Sequence, residues 1–415
     1  MSRVPSPLPP LDPRVADGTD VDARSALEPG LGSKGADPRA AYAAAGVDVA
    51  AGERAVELIR ASVDRTRRPE ILGGLGGFGS AFTIPAGYRE PVLVSSTDGV
   101  GTKTAIAAAL RRYDSIGIDL VAMCADDVVC TGAEPVAFLD YVAVGTLDPA
   151  QVAELVAGMA EGCHQAGAAL VGGETAEHPG LMRPGEFDLA GFCIGVVERA
   201  ELLDGSAAHA GDVIVGFAAS GLHANGFSLV RALVAQFDLP LERPFQEQLR
   251  RSLGDAASES LLAAEPAVGL ATLGEVLLTP TRVYAGDLLA MRRALAADGH
   301  AGAIHSLAHI TGGGLPGNAP RALPVSLGAR VDPTRWPMPG VMHLMGALGG
   351  IDADELRATF NGGIGMIAVV APESVPAVLA AAAARSLPAY VIGEVVPAEA
   401  LGGRYAEGIL EATGR

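Results

Sequence analysis

Positive charge is scarce in this chain. Lys and Arg number 30 against 48 Asp and Glu in 415 residues, a formal net charge of −18. That balance argues against a nucleic-acid partner, which would favour a basic face. No apolar run reaches membrane-spanning length, so no membrane partner is expected. No basic stretch leads into an apolar one near the N-terminus, as a secretory signal would require. Cysteine is rare: only Cys124, Cys130, Cys163 and Cys193 occur. None forms a CxxC pair, which speaks against a zinc or thioredoxin-like motif. Their apolar neighbours predict buried thiols, which fits a reducing cytoplasm. The GxxxxGK[ST] pattern is missing, and so is a GxGxxG fingerprint opening a βαβ unit. Any nucleotide site is therefore of another type.

Hydrophobic residues make up 49% of the chain, enough for a large core, and the length predicts two or three domains. Residues 1–38 are rich in Pro, Gly, Asp and Ser without hydrophobic period and read as a disordered leader. The glycine-rich stretch 72–82, with two aromatic residues, reads as a mobile flap. Helical spacing is expected over 49–62, 117–130, 149–167, 227–236, 282–297 and 373–384. Strands are expected over 92–96, 136–144, 168–172, 189–197, 213–217, 365–370 and 390–394. Long helices do not separate every pair of strands, so α+β fits better than a doubly wound parallel sheet. Turn-like residues at 204–212 place a boundary there, giving domains 39–205 and 206–415. Residues 240–275 read as a variable connection.

The richest segment is Thr97-Asp98-Gly99-Val100-Gly101-Thr102-Lys103, at the end of an apolar strand. Its glycines let the backbone approach a bulky anion. Lys103 offers charge for phosphate and Asp98 a ligand for a divalent cation. A tight turn with solvated charges satisfies the same residues. Asp126 and Asp127 sit in an otherwise apolar helical run, where carboxylates are costly unless paired or metal-bound. Glu174 follows two glycines at an expected strand end; a charge at a helix start is the alternative. Ser220-Gly221-Leu222-His223-Ala224-Asn225-Gly226 joins a strand to a helix, where free N–H groups bind anions. His309-Ile310-Thr311-Gly312-Gly313-Gly314 is either a phosphate loop or a plain bend. Asn361 is a weaker candidate.

These segments, in this order, resemble the phosphoribosylformylglycinamidine cyclo-ligase family. The matching stretches are 73–82, 91–103, 117–135, 172–180, 190–198, 220–231, 280–284, 309–314 and 360–366, nearly everything from residue 40 onward. The resemblance implies two α+β domains, a homodimer formed through the N-terminal sheet, and ATP in the cleft near that interface. It implies ATP-dependent conversion of formylglycinamidine ribonucleotide to aminoimidazole ribonucleotide through an iminophosphate. The metal Mg²⁺ would be held by Asp98, Asp127 and Glu174. ATP would meet Gly76, Gly77, Phe78, Gly79, Thr97, Gly99, Gly101, Thr102 and Lys103. The substrate would meet Ser220, Gly221, His223, Asn225, Thr311 and Gly312, with Lys103, His223 and Asp98 catalytic. The chain departs from the family's usual pattern at Asp126 (commonly Asn), Ala224 (commonly Ser) and His178 (commonly Met).

Selenophosphate synthetases use a Cys or selenocysteine before the first glycine-rich stretch, and residues 1–123 hold no Cys. The hydrogenase-maturation relative needs a C-terminal Cys, where this chain has Arg415. Thiamine-monophosphate kinase would not be expected to carry the 223–226 loop or the 309–314 bend. A non-catalytic ATP-binding protein is opposed by the retained Asp98, Lys103, Asp127, Glu174 and His223.

Overall fold

The computed structural model describes residues 48–266 and 268–410. The expected leader over 1–38 lies outside the described residues. Two units divide the chain: Met1–Val49, of which only Asp48 and Val49 are described, and Ala50–Arg415, which holds the elements below.

The fold is α+β. Helix α1 (Val49–Asp64) leads into a two-stranded hairpin, β1 (Ile71–Leu72) with β2 (Ala81–Phe82). The expected flap is the tip of this hairpin, with Phe78 fully exposed. Next come β3 (Pro91–Gly99), α2 (Lys103–Leu110), α3 (Ile116–Cys130), β4 (Glu134–Val144), α4 (Pro149–Ala166), β5 (Ala169–Glu177) and β6 (Phe187–Glu198). The four long strands form one mixed sheet in the order β3-β6-β4-β5. Asp148 caps α4 by accepting the Ala150 N–H, and Gly167, in the left-handed region, ends it.

Helix α3 is the centre of this half. Twelve of its fifteen residues are buried, since one face lies on the sheet and another on the elements that follow. Gly191 of β6 makes the close approach possible: a side chain there would run into Phe138, Cys124 and Leu120.

After β7 (Val213–Ala218) come α5 (Phe227–Gln236), α6 (Phe245–Leu253), α7 (Asp255–Ala264), α8 (Leu273–Leu277) and α9 (Ala285–Ala297). Then follow β8 (Ile304–His309), α10 (Gly314–Asn318), β9 (Leu327–Val331), α11 (Gly340–Gly349), α12 (Ala353–Thr359), β10 (Ile364–Val370), α13 (Val375–Ala384), β11 (Ala389–Pro397) and β12 (Tyr405–Glu407). These six strands make a second sheet, β12-β9-β11-β7-β10-β8. The expected variable connection over 240–275 is largely helical. It holds three helices, the last started by a reciprocal cap in which Thr272 and Glu275 satisfy each other's backbone N–H. Among the described residues, no helix is long and apolar enough to cross a membrane.

Candidate active site

Three carboxylates on α3 share out its work. Asp119 and Asp126 are seven residues apart, two helical turns, and so face the same way. Both are fully buried. Asp119 accepts the Thr281 N–H at 2.7 Å and the Thr281 hydroxyl at 2.6 Å, and meets the Lys103 ammonium at 2.9 and 2.8 Å. Asp126 accepts the N–H groups of Tyr284 and Ala285 at 2.9 and 2.8 Å. It thereby holds the start of α9, where orphan donors and the helix dipole favour a carboxylate. Burial pushes its proton affinity up to about 7. Asp126 is thus committed to structure.

Asp127 is the next residue and turns elsewhere. Its side chain keeps 36% exposure, and Oδ1 lies 3.0 Å from Nδ1 of His309 at the end of β8. Asp98, near the end of β3, lies close enough to feel the Asp127 charge. Partial burial raises its proton affinity; the Gly99 N–H at 2.7 Å opposes this and Asp127 adds to it. Burial works against an imidazolium at His309, yet the Asp127 hydrogen bond and the charges of Asp126, Asp127 and Asp98 raise its affinity for a proton overall.

The strand register separates Glu174 from this group. Asp98 pairs with Gly191, Gly191 with Asp140, and Asp140 with Gly173. Paired residues share a face and successive residues alternate. Glu174 therefore stands three strands from Asp98, roughly 14 Å, and on the opposite face. It also lies inside β5 rather than at a strand end, because Gly172 and Gly173 continue the ladder instead of stopping it. The hairpin tip goes with Glu174: the Ser80 hydroxyl donates to Val171 O at 2.5 Å. Within one chain, Gly76, Gly77, Phe78 and Gly79 therefore lie at the far edge of the sheet from Thr97, Asp98, Gly99, Gly101 and Thr102.

Lys103 does not face open space. Its side chain is fully buried, and besides Asp119 the ammonium donates to Thr279 O at 2.8 Å. Burial lowers its proton affinity, and the Asp119 charge opposes that. The lysine ties the turn after β3 to the segment before α9. Nearby, the Thr102 and Ser228 hydroxyls lie 3.4 Å apart, so this turn also touches α5.

His223 sits in the left-handed region, φ 62°, and is buried. Its Nε2 accepts the Ser220 N–H at 3.1 Å, which leaves the ring proton on Nδ1. Burial holds its proton affinity well below the usual histidine value. The Ser220 hydroxyl donates to Pro280 O, and Asn361 donates to Gly221 O. Asn225 reaches Met123 of α3 at 3.7 Å. Gly312 lies beside Asn225, and Asn318 ties down the Thr311 and Gly312 carbonyls. The loops at 220–226 and 311–313 therefore meet over α3, next to Asp127.

Asp119, Thr281, Tyr284 and the ring of His309 belong to this site without a sequence motif that marks their roles. The available signal was a buried charge in an apolar run: Lys103 and Asp119 each need a partner. All four cysteines are free, and three are buried.

Two sheets joined by a buried helix, with paired carboxylates where β3 ends, define the AIR synthase-related class. The family model described as AIR synthase related protein, N-terminal domain, matches residues 85–197, and its C-terminal counterpart matches 209–406. A phosphoribosylformylglycinamidine cyclo-ligase of Anaeromyxobacter sp. is 49% identical over 355 residues, covering 85% of this chain and 95% of that protein. One from Gloeobacter violaceus is 48% identical over 365 residues, covering 88% and 99%. The chain belongs to the phosphoribosylformylglycinamidine cyclo-ligase family. Solved structures share the fold at lower identity. Thiamine-monophosphate kinase from Stenotrophomonas maltophilia aligns at TM-score 0.56 with 20% identity, over 85% of this chain and 95% of that one. Hydrogenase maturation protein HypE in complex with ATP aligns at 0.55 with 19% identity, over 88% and 96%.

Proposed function

We propose that this chain converts formylglycinamidine ribonucleotide and ATP into aminoimidazole ribonucleotide, ADP and phosphate, in the cytoplasm and as a homodimer. The identity of 49% across 85% of the chain to a cyclo-ligase carries the proposal. In the reaction, the formamide oxygen attacks the γ-phosphoryl group and ADP leaves. The iminophosphate so formed has a good leaving group on carbon. The amidine nitrogen attacks that carbon, the ring closes, and phosphate departs with the former amide oxygen. Holding the two ends of one substrate together supplies much of the rate, up to ~7–11 kcal/mol for well-oriented closures.

The crowding of Asp98 and Asp127 supports a cation site. Both offer hard oxygen donors, and their mutual repulsion is relieved by a divalent ion. When bound, Mg²⁺ would offset charge on the transferred phosphoryl group. His309 orients Asp127 by holding one oxygen. The backbone of Thr97, Gly99, Gly101 and Thr102 lies beside this pair for the triphosphate. Lys103 acts by fixing that backbone from beneath. Ser220, Gly221, Asn225, Thr311 and Gly312 border the substrate, and buried His223 shapes that loop from beneath, its Nε2 accepting the Ser220 N–H.

Leu93 and Phe192 stand exposed on the sheet face away from α3. An apolar sheet face of this kind supports pairing with a second copy. Glu174 and the hairpin lie on that same face, so we assign them to the partner's nucleotide site. The test is turnover: Mg-ATP and the formyl amidine ribonucleotide should yield an aminoimidazole detectable by diazo coupling. ATP binding without product would leave a nucleotide-binding protein instead.

A further inference from the structure

A second polar cluster lies far from Asp98 and Asp127. Val370, at the end of β10, pairs with Val213 on one side and Ile304 on the other. Asp212 and His305 therefore flank the same end of β10, and their side chains meet across it: His305 Nδ1 lies 2.8 Å from Asp212 Oδ2. The same oxygen accepts the His209 N–H at 2.8 Å. The two imidazole rings stand edge to face, 5.7 Å between centroids. One ligand atom from each of His209, Asp212 and His305 lies within 4.8 Å of the others. Exposure rises from buried Asp212 through partly buried His305 to exposed His209, so an ion has a way in. A cavity of about 780 Å³, bordered by His305, His300, Arg292 and Tyr88, opens beside it. His305 and His309 stand at opposite ends of β8, four residues or roughly 13 Å apart. Nothing in the cyclo-ligase chemistry uses this cluster.

We infer that His209, Asp212 and His305 bind a transition-metal dication of the zinc type. Two imidazoles and one carboxylate select such an ion over Mg²⁺ or Ca²⁺, which prefer all-oxygen sites. Zinc bonds of ~2.0–2.2 Å put neighbouring ligand atoms about 3.4 Å apart around a tetrahedron. The cluster has to close by little more than an ångström, which the exposed His209 side chain supplies by rotation. An ion bound at His305 Nδ1 replaces the hydrogen bond to Asp212, and the ring proton of the neutral imidazole then sits on Nε2. Three protein ligands leave a fourth position for water or for a group held in the cavity.

The test uses the full chain without an affinity tag, stripped with EDTA and titrated with zinc against a chromophoric chelator. Wild type should hold one more zinc than His209→Ala or His305→Gln, or hold that zinc at least about tenfold more tightly. His164→Ala, an exposed histidine elsewhere, should match wild type. His209 is exposed, so its loss leaves the fold intact, and zinc should raise the thermal midpoint of wild type but not of His209→Ala. Wild-type zinc stoichiometry and affinity in His209→Ala would overturn the inference.

Discussion

Replacing Lys103 by Met removes a charge from a place that water does not reach. The variant keeps the length of the side chain and so leaves little cavity. It leaves Asp119 facing two donors from Thr281, both on Oδ1, with Oδ2 unopposed. Breaking a buried ion pair by deleting one partner costs about 3–5 kcal/mol. At ~2 °C per kcal/mol for a chain of this size, the thermal midpoint should fall by about 6–10 °C. The single tryptophan, Trp336, is buried with its N–H on Gly362 O, so its emission reports unfolding of the second sheet. Restoring neutrality with Lys103→Met/Asp119→Asn should recover most of the loss, because the buried charge goes with its partner while an acceptor for the Thr281 N–H and hydroxyl remains. A lysine that instead contacted phosphate from an open cleft would show little change in midpoint and a large fall in kcat. A midpoint within about 1 °C of wild type for Lys103→Met would refute a structural role for this lysine.

Asp98→Asn and Asp127→Asn should each cut turnover by about two orders of magnitude or more with the thermal midpoint nearly unchanged, read by product formation at varied Mg²⁺; unchanged kcat in both would remove the cation assignment. Gly191→Val should destabilise by about 1–3 kcal/mol, since its side chain meets Phe138, Cys124 and Leu120, and wild-type denaturation would contradict the packing of α3. Asp126 is raised from 3.8 to about 7 in the fold, so the native state binds its proton more tightly and that stability is lost as pH climbs from about 4 to 7. Asp126→Asn keeps an acceptor for Tyr284 and Ala285 without the charge. Its midpoint should gain on wild type across that window, and parallel curves would show that Asp126 is not buried as described.

Much of this arrangement was legible in the sequence where one physical rule governed. Helix α5 matches its expected span at both ends, because an apolar period follows a glycine and a polar loop. The α+β class followed from strands that lack intervening helices. A Gly-Gly pair reads as the end of a strand, whereas β5 is an edge strand that carries both glycines in its ladder and holds Glu174 inside it. Strand β8 was missed since His305, Ser306 and His309 interrupt its apolar run; two of these three are explained only by partners brought from α3 and the turn before β7. Lys103 looked like a phosphate ligand because a lysine after glycines usually faces outward. Its partner Asp119 is sixteen residues away on another helix, and Thr279 is farther still. Which carboxylate faces the cleft and which caps a helix depends on a rotation of one residue along α3, which no spacing rule separates.

In the proposed reaction the amide oxygen of the substrate takes the terminal phosphoryl group of ATP. The most direct measurement uses substrate carrying ¹⁸O in its formyl group, with mass analysis of the phosphate released after turnover. One labelled oxygen per phosphate is the predicted result. Phosphate free of label, formed alongside the ring-closed product, would contradict it.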